Sequence, residues 1–403
     1  MPSTTTTSVL TGFDAEGIRA LCVRAGGRER ESTEGVVVFA DRALLTAPST
    51  KALLAAVAWD SREPLVRPVS GPPELEAVLE DARALRGFSA VLAFGGGSVI
   101  DRAKLARAAA AGAELRSATE SAPGHVRLDT AASPLPLIAL PTTLGTGSER
   151  NTNAVLDAAD RRFLVSGEVL RPEAAVLDAA FTRSLGTDAI LSGVYEALAR
   201  TIEPYASPSS HPGADQLALA TAGRLAVLGD TVSSRRGEPV GDEVLLEIAR
   251  LSGLSHAPAM HAGRTAFAFP GWFLAHELAS VTGASKVSCL SALLPVIDRR
   301  ARLGARAWGS ARRRGTASGA VLSAIGLPPG DESALGVLAA RWSLPAPSAE
   351  VDVDALTARI LSAWGPPSPH LARVGRDELL AVLSEATGTG GASPRTPAPP
   401  AQS

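Results

Sequence analysis

Cysteine is nearly missing from this chain: Cys22 and Cys289 are the only two in 403 residues. They form no Cys-x-x-Cys pair and are too few for a disulfide framework, so a reducing cytoplasm is the expected compartment. An excess of one charge sign is missing as well, with 39 basic against 41 acidic side chains and a net charge of −2. Neither a nucleic-acid surface nor an attraction to anionic membrane follows from that balance. Long apolar runs are absent too. Nothing approaches the roughly 20 unbroken apolar residues that span a bilayer, and the opening MPSTTTTSVLTGFD lacks the basic segment and apolar run of a secretion signal. The expectation is a soluble cytoplasmic protein without nucleic-acid or membrane partners.

What is present is ordinary globular composition, 45% hydrophobic, in a chain longer than one core supports, which predicts two domains. The first half alternates short apolar runs with helical segments, the pattern of a parallel sheet wrapped by helices. GVVVFAD (35–41), PLVRPVS, SAVLAFGG (89–96) and LPLIALP (135–141) read as strands. LTAPSTKALLAAVAWD, PELEAVLEDARALRG and IDRAKLARAAAAGA read as helices between them, the second with Pro in its first turn and Gly past its end. From about Thr182 to Thr387, Ala/Leu-rich segments with helical spacing take over. The predicted fold class is therefore α/β: a Rossmann-like parallel-sheet nucleotide-binding domain over 1–181 and an all-helical domain over 182–387. A Gly/Pro/Ser-rich tail over 388–403 is expected to be disordered.

The segment FGGGSVIDRAK (94–104) follows a strand and opens a helix. Backbone amides and the positive helix end can hold a pyrophosphate there, although a glycine run alone also suits a plain strand-to-helix turn. One strand later comes PLIALPTTLGTGSERNTNAVL (136–156). Together the two segments resemble the iron-type alcohol dehydrogenase family, whose fold is similar to glycerol dehydrogenase and dehydroquinate synthase. The resemblance continues through AAVLDAAFTRSL (174–185), IEPYAS (202–207), AHELASVTG (275–283) and SALLPVI (291–297), covering roughly 35–385.

That resemblance implies NAD as cofactor and a homo-oligomer. It implies that Gly96, Gly97 and Ser98 contact the pyrophosphate, and it puts Asp101 where the family has a helix-opening acid. Thr142, Thr143 and Thr146 would line the nucleotide cleft, Ser148 and Asn153 would lie toward the nicotinamide, and Leu177 and Thr182 would flank the adenosine. Asp41, ending the first strand, can accept from ribose hydroxyls and repel a 2′-phosphate, favouring NAD over NADP. Arg42 beside it weakens that inference, and Asp41 as a turn residue is the alternative.

The family's metal ligands are where this chain departs from it. Aligned through Ile202-Glu203-Pro204-Tyr205-Ala206-Ser207, Glu196 takes the place of the family's aspartate and Arg200 that of its first histidine. His276 matches the next histidine, Ser280 replaces a histidine near the nicotinamide, and Lys286 replaces the last ligand after an apparent deletion. Guanidinium donates no lone pair and a neighbouring cation repels a metal, so no catalytic metal is expected. One reading makes the fixed charges of Arg200 and Lys286 the electrophile for a developing alkoxide, with Lys286 as base and Glu196 and His276 orienting the pair. The purely structural alternative has Arg200 and Lys286 simply pairing with Glu196.

Arginine's planar fork suits a carboxylate, which suggests a β-hydroxy acid whose oxidation product decarboxylates readily. The chain looks most like the dehydrogenases of daptide-type ribosomal peptide biosynthesis, which implies oxidation and decarboxylation of a precursor peptide's C-terminal threonine. A conventional metal-dependent small-alcohol or polyol dehydrogenase, and a non-catalytic nucleotide- or peptide-binding protein, are the competing readings. His256 and His261 precede the AHELASVTG helix and can face the cleft, although isolated histidines are more often structural. Trp272 and Phe273 read as core.

Overall fold

The computed structural model describes residues 6–25, 35–58, 63–129, 135–265 and 267–388. Its first part runs β1 (Ser8–Thr11), α1 (Ala15–Ala25), β2 (Val36–Asp41), α2 (Pro48–Val57), β3 (Leu65–Val69), α3 (Leu75–Ala84), β4 (Ala90–Gly95), α4 (Gly97–Ala110), α5 (Leu115–Ser121), β5 (His125–Arg127), β6 (Leu137–Pro141), β7 (Asn153–Ala158), β8 (Arg161–Ser166) and β9 (Ala174–Leu177). Six strands pair in the order β1-β9-β6-β4-β2-β3, every neighbour parallel. The central β4 and β6 are buried at every position. Helices cover both faces of the sheet, so these strands read as continuous apolar runs.

Chain order fixes where the crevice opens. β3 leaves β2 on one side and β4 returns on the other, so the carboxyl ends of β2 and β4 border a topological switch point. Asp41 ends β2, and Gly95 ends β4 and leads straight into α4. A second, three-stranded sheet, β5-β8-β7, was not expected from sequence. Its β7 and β8 form an antiparallel hairpin turned through Ala159, at φ 53°.

The helical part comprises α6 (Thr187–Tyr205), α7 (Pro212–Ser234), α8 (Asp242–Leu254), α9 (Pro258–His261), α10 (Pro270–Thr282), α11 (Lys286–Arg302), α12 (Ala311–Ala324), α13 (Ala334–Arg341), α14 (Val353–Trp364) and α15 (Arg376–Thr387). Apart from Ser192, every residue of α6 from Ile190 to Tyr205 is buried, which makes it the axis of this core. The α10 helix stops at Gly283, whose φ of 68° is the left-handed cap conformation glycine tolerates. Ser285 then caps α11 by accepting from the Ser288 amide at 3.1 Å. The connection is so short that Lys286 becomes the first residue of α11.

Among the described residues no helix is long and apolar enough to cross a membrane. The expected tail lies outside them, except for Gly388, which caps α15.

Candidate active site

A cleft of about 1450 Å³ lies between the carboxyl ends of the parallel strands and the helical part. At one end the glycine turn is packed too tightly for side chains. A Cβ on Gly95 would sit 2.4 Å from Val99 Cγ2, one on Gly96 3.0 Å from Thr143 Cγ2, and one on Gly97 3.1 Å from Thr146 Cγ2. No side chain caps α4, so its first amides face the cleft with the helix's positive end behind them. The buried Thr143 Oγ1 beside this turn has no hydrogen-bond partner. Ser98, Asp41 and Arg42 also line the cleft. Asp41 accepts from the Ala43 amide at 2.9 Å, so it serves as a turn residue as well.

Thr142, expected to line the cleft, and Leu177 and Thr182, expected to flank the adenosine, are not among the residues that line it. Thr142 is buried and its amide donates to the Gly95 carbonyl at 3.1 Å. Leu177 is buried in β9 beside Thr11, and the Thr182 hydroxyl donates to the Ala179 carbonyl at 3.3 Å.

Asp101, Ser148 and Asn153 meet below the glycine turn through a residue that sequence reasoning passed over. The buried Lys104 ammonium donates to Ser148 Oγ at 2.9 Å, to Asn151 Oδ1 at 2.8 Å and to the Asn153 carbonyl at 2.9 Å. Burial pulls its pKa down to about 8. Asp101 accepts from the Ser148 hydroxyl and from the Val155 amide, and burial raises its carboxyl despite the opposing charge of Lys104. The spacing of Asp101 and Lys104 on α4 was the only available signal.

At the other end Glu196 Oε1 receives Lys286 Nζ at 2.6 Å and Arg200 at 3.2 Å. Burial pushes the Glu196 carboxyl up, but Lys286 and Arg200 together outweigh that and hold it below the usual range. The remaining contacts of Arg200 are to protein, with Gly145 O at 2.5 Å and Ser255 Oγ at 3.1 Å. The guanidinium fork suited to a substrate carboxylate is therefore already engaged by protein groups. The pairing that the purely structural alternative required is present, yet all three residues line the cleft. Lys286 is the open one, 31% exposed against 8% for Glu196.

His276 lines the same cleft but stands apart in its bonding. Its ring stacks on Trp272 at 4.6 Å, and Nε2 donates to the Arg162 carbonyl at 3.1 Å. Burial drives its pKa down to about 3, so it is neutral. Trp272, read as core, also lines the cleft, with Lys286 Nζ 5.7 Å from its ring centroid. Ser280 lies 3.4 Å from an Arg359 nitrogen. His256 and His261 both line the cleft, His261 bonding to the Ser255 carbonyl at 2.8 Å.

The architecture is thus a parallel sheet and a helical domain sharing one cleft, with a glycine turn at one end and an ion cluster at the other. Residues 24–179 match the family described as iron-containing alcohol dehydrogenase. The chain is 31% identical over 223 residues to the probable alcohol dehydrogenase EutG of Escherichia coli, covering 53% of this chain and 51% of that protein. It is also 31% identical over 217 residues to phosphonoacetaldehyde reductase of Streptomyces viridochromogenes, covering 52% and 54%. The chain thus spans about half the length of these curated relatives. The structure of NADH-dependent butanol dehydrogenase A from Thermotoga maritima superposes with a TM-score of 0.74 at 17% identity, covering 96% of this chain and 98% of that one. The family match and the relatives support the iron-containing alcohol dehydrogenase family for this chain, and the superposition shows its fold.

A dinucleotide fits the cleft: the side-chain-free turn, the uncapped helix end and the unpartnered Thr143 hydroxyl make an anion cradle. A divalent metal does not fit the other end. The carboxylate there is shared by two cations, and the nearby imidazole has given Nε2 to a backbone carbonyl. Among the described residues no group of three or more His, Cys, Asp and Glu converges as a metal site.

Proposed function

We propose that this protein is an NAD-dependent dehydrogenase in which fixed cations take the place of the family's metal. The observation that carries this reading is the Lys286–Glu196–Arg200 cluster at the far end of the glycine-turn cleft. Bound NAD supplies the hydride acceptor, cradled by Gly96, Gly97 and Ser98. The Lys286 ammonium, paired by Glu196, donates to the substrate oxygen while the hydroxyl proton passes to solvent. Arg200, clamped by Gly145 and Ser255, contributes a positive charge that needs no reorganisation as negative charge builds on the oxygen.

Our specific reading of the substrate is a β-hydroxy acid, such as the C-terminal threonine of a peptide. Its oxidation gives a β-keto acid. The bond to the carboxylate then breaks, carbon dioxide leaves, and the electron pair passes to an enolate oxygen beside Lys286 before protonation gives the ketone. An anionic substrate agrees with the cationic cleft end and with the relative named phosphonoacetaldehyde reductase.

Mixing protein, NAD and a threonine-ending peptide, and following nicotinamide absorbance with product mass, tests the reaction. Formation of reduced cofactor and loss of carbon dioxide are expected. Metal analysis of protein purified without chelator tests the replacement, and stoichiometric iron or zinc would overturn it. NAD binding without turnover of any alcohol would leave a nucleotide-binding protein.

A further inference from the structure

Arg162 enters the cleft from the β7–β8 hairpin. In that ladder Arg162 stands opposite Asp157, and Leu164 opposite Val155. Cross-strand partners share a face, as do alternate residues of one strand. Arg162, Leu164 and Val155 all line the cleft, while Leu156, Phe163 and Val165 between them pack into the core of the parallel-sheet part. Alternation therefore directs the Arg162 side chain toward the cleft.

Its guanidinium is held but not used up. Nε donates to Asp157 Oδ1 at 2.7 Å and Nη2 to Asp157 Oδ2 at 2.9 Å. Nη1 makes no hydrogen bond among the described residues, yet it is not one of the unpartnered atoms sealed from solvent, and the side chain is 24% exposed. Asp157 does not line the cleft, so the edge it grips points away from the open space and leaves the Nη1 side for a ligand. The bonds to Asp157 raise a pKa that is already high, which makes the charge permanent.

The other cations of the cleft are placed differently. Arg200 is bonded to Glu196, Gly145 and Ser255, and Arg171 to Glu168 and the Arg150 carbonyl. Arg264, its side chain fully buried, is bonded to Asp215 and the Met260 carbonyl. Arg42 follows β2 at the glycine-turn end, and the Arg150 side chain lies against α8, where a Cβ on Gly253 would sit 2.6 Å from its Cδ. Arg162 is tied to the neighbourhood of Lys286 instead. Its carbonyl receives His276, His276 stacks on Trp272, and Lys286 Nζ stands over the Trp272 ring.

We propose that Arg162 binds the carboxylate of the substrate through Nη1, and that Asp157 is the positioning residue that sets the guanidinium plane. This rests on the dehydrogenase reading above and names the residue that recognises the anionic group of its substrate. Lys286 meets the reacting oxygen from α11 and Arg162 meets the carboxylate from β8, so the substrate bridges the two parts of the molecule.

The probe is 3-hydroxybutyrate, with its methyl ester as the neutral counterpart. Calorimetric titration into protein loaded with reduced nicotinamide cofactor reads binding without turnover, since no hydride acceptor is present. The acid should bind about 10–100-fold more tightly than the ester, the range of a hydrogen bond between charged groups. Arg162→Met should abolish that preference and Arg162→Lys restore part of it, with affinity for the reduced cofactor unchanged. Arg162→Gln/Asp157→Asn removes both charges together, leaves no carboxylate stranded and should match Arg162→Met. Equal binding of acid and ester by the parent protein, or an undiminished preference in these variants, would overturn the assignment. A loss of cofactor affinity would overturn it too, giving the guanidinium to the dinucleotide. In turnover, Arg162→Met should raise KM for the acid far more than it lowers kcat, whereas equal losses for acid and ester would mark a merely structural role. If the binding preference follows Arg162 but no form oxidises an alcohol, the dehydrogenase reading fails and the anion site stands.

Discussion

Lys286 and Glu196 meet at 2.6 Å, joining the first residue of α11 to the middle of the buried helix α6. Glu196 thereby balances one cation that the cleft exposes and another that the protein encloses, Arg200 being 7% exposed.

Removing that carboxylate strands both cations. Glu196→Ala should destabilise the fold by about 3–5 kcal/mol, as when one partner of a buried pair is deleted, measured by urea denaturation. An unchanged midpoint would mean water already screens the cluster. Because the folded carboxyl titrates below its ordinary value, its stabilising contribution is present above an unfolded pKa of about 4.3 and lost as pH falls through the folded one. The parent protein should therefore lose stability on acidification more steeply than Glu196→Gln.

Lys286→Met should lower kcat by about 10²–10³, the usual cost of losing a group that acts on the developing charge, with NAD affinity unchanged in a fluorescence titration. Normal turnover would remove Lys286 from the mechanism. Arg200→Lys loses the clamp to Gly145 and Ser255, and its loss should fall on kcat more than on KM because a fixed charge is what disappears.

Lys104 should leave a signature at alkaline pH. Its folded pKa of about 8 lies below the unfolded value, which is about 10.4. Between the two, the unfolded chain holds a proton that the folded one has released, so stability contributed by this group rises with pH. Urea melts across that interval should show a rise that Lys104→Met lacks. Parallel curves would mean that Lys104 stays charged in the fold.

Gly95→Ala would drive its Cβ into Val99, at 2.4 Å. A loss of about 1–3 kcal/mol is expected for such overpacking, with partial recovery in Gly95→Ala/Val99→Ala. Gly96→Ala meets only Thr143 at 3.0 Å, and its effect should appear in NAD affinity rather than in the melting midpoint.

Much of the sheet was legible in the sequence because central strands buried on both faces leave unbroken apolar runs, as in β2, β4 and β6. The β7–β8 hairpin escaped because half-buried Val155 hides the alternation of β7 in the sequence, while β8 buries three consecutive residues after two arginines. The ion cluster was visible as odd residues at aligned positions. Its bonding was not, since acceptors such as the Gly145 and Arg162 carbonyls leave no mark on the sequence. Lys104 reads as a solvated helix lysine until the fold buries it.

The bond from His276 to the Arg162 carbonyl limits what this end of the cleft can be made to hold. Replacing Arg200 and Lys286 with histidines would add two imidazoles, but that of His276 would still be tied to β8. Any incoming ion would have to compete with a backbone hydrogen bond inside a stacked aromatic pair. Building a metal site at this cleft end would thus take a shift of the hairpin as well as new side chains.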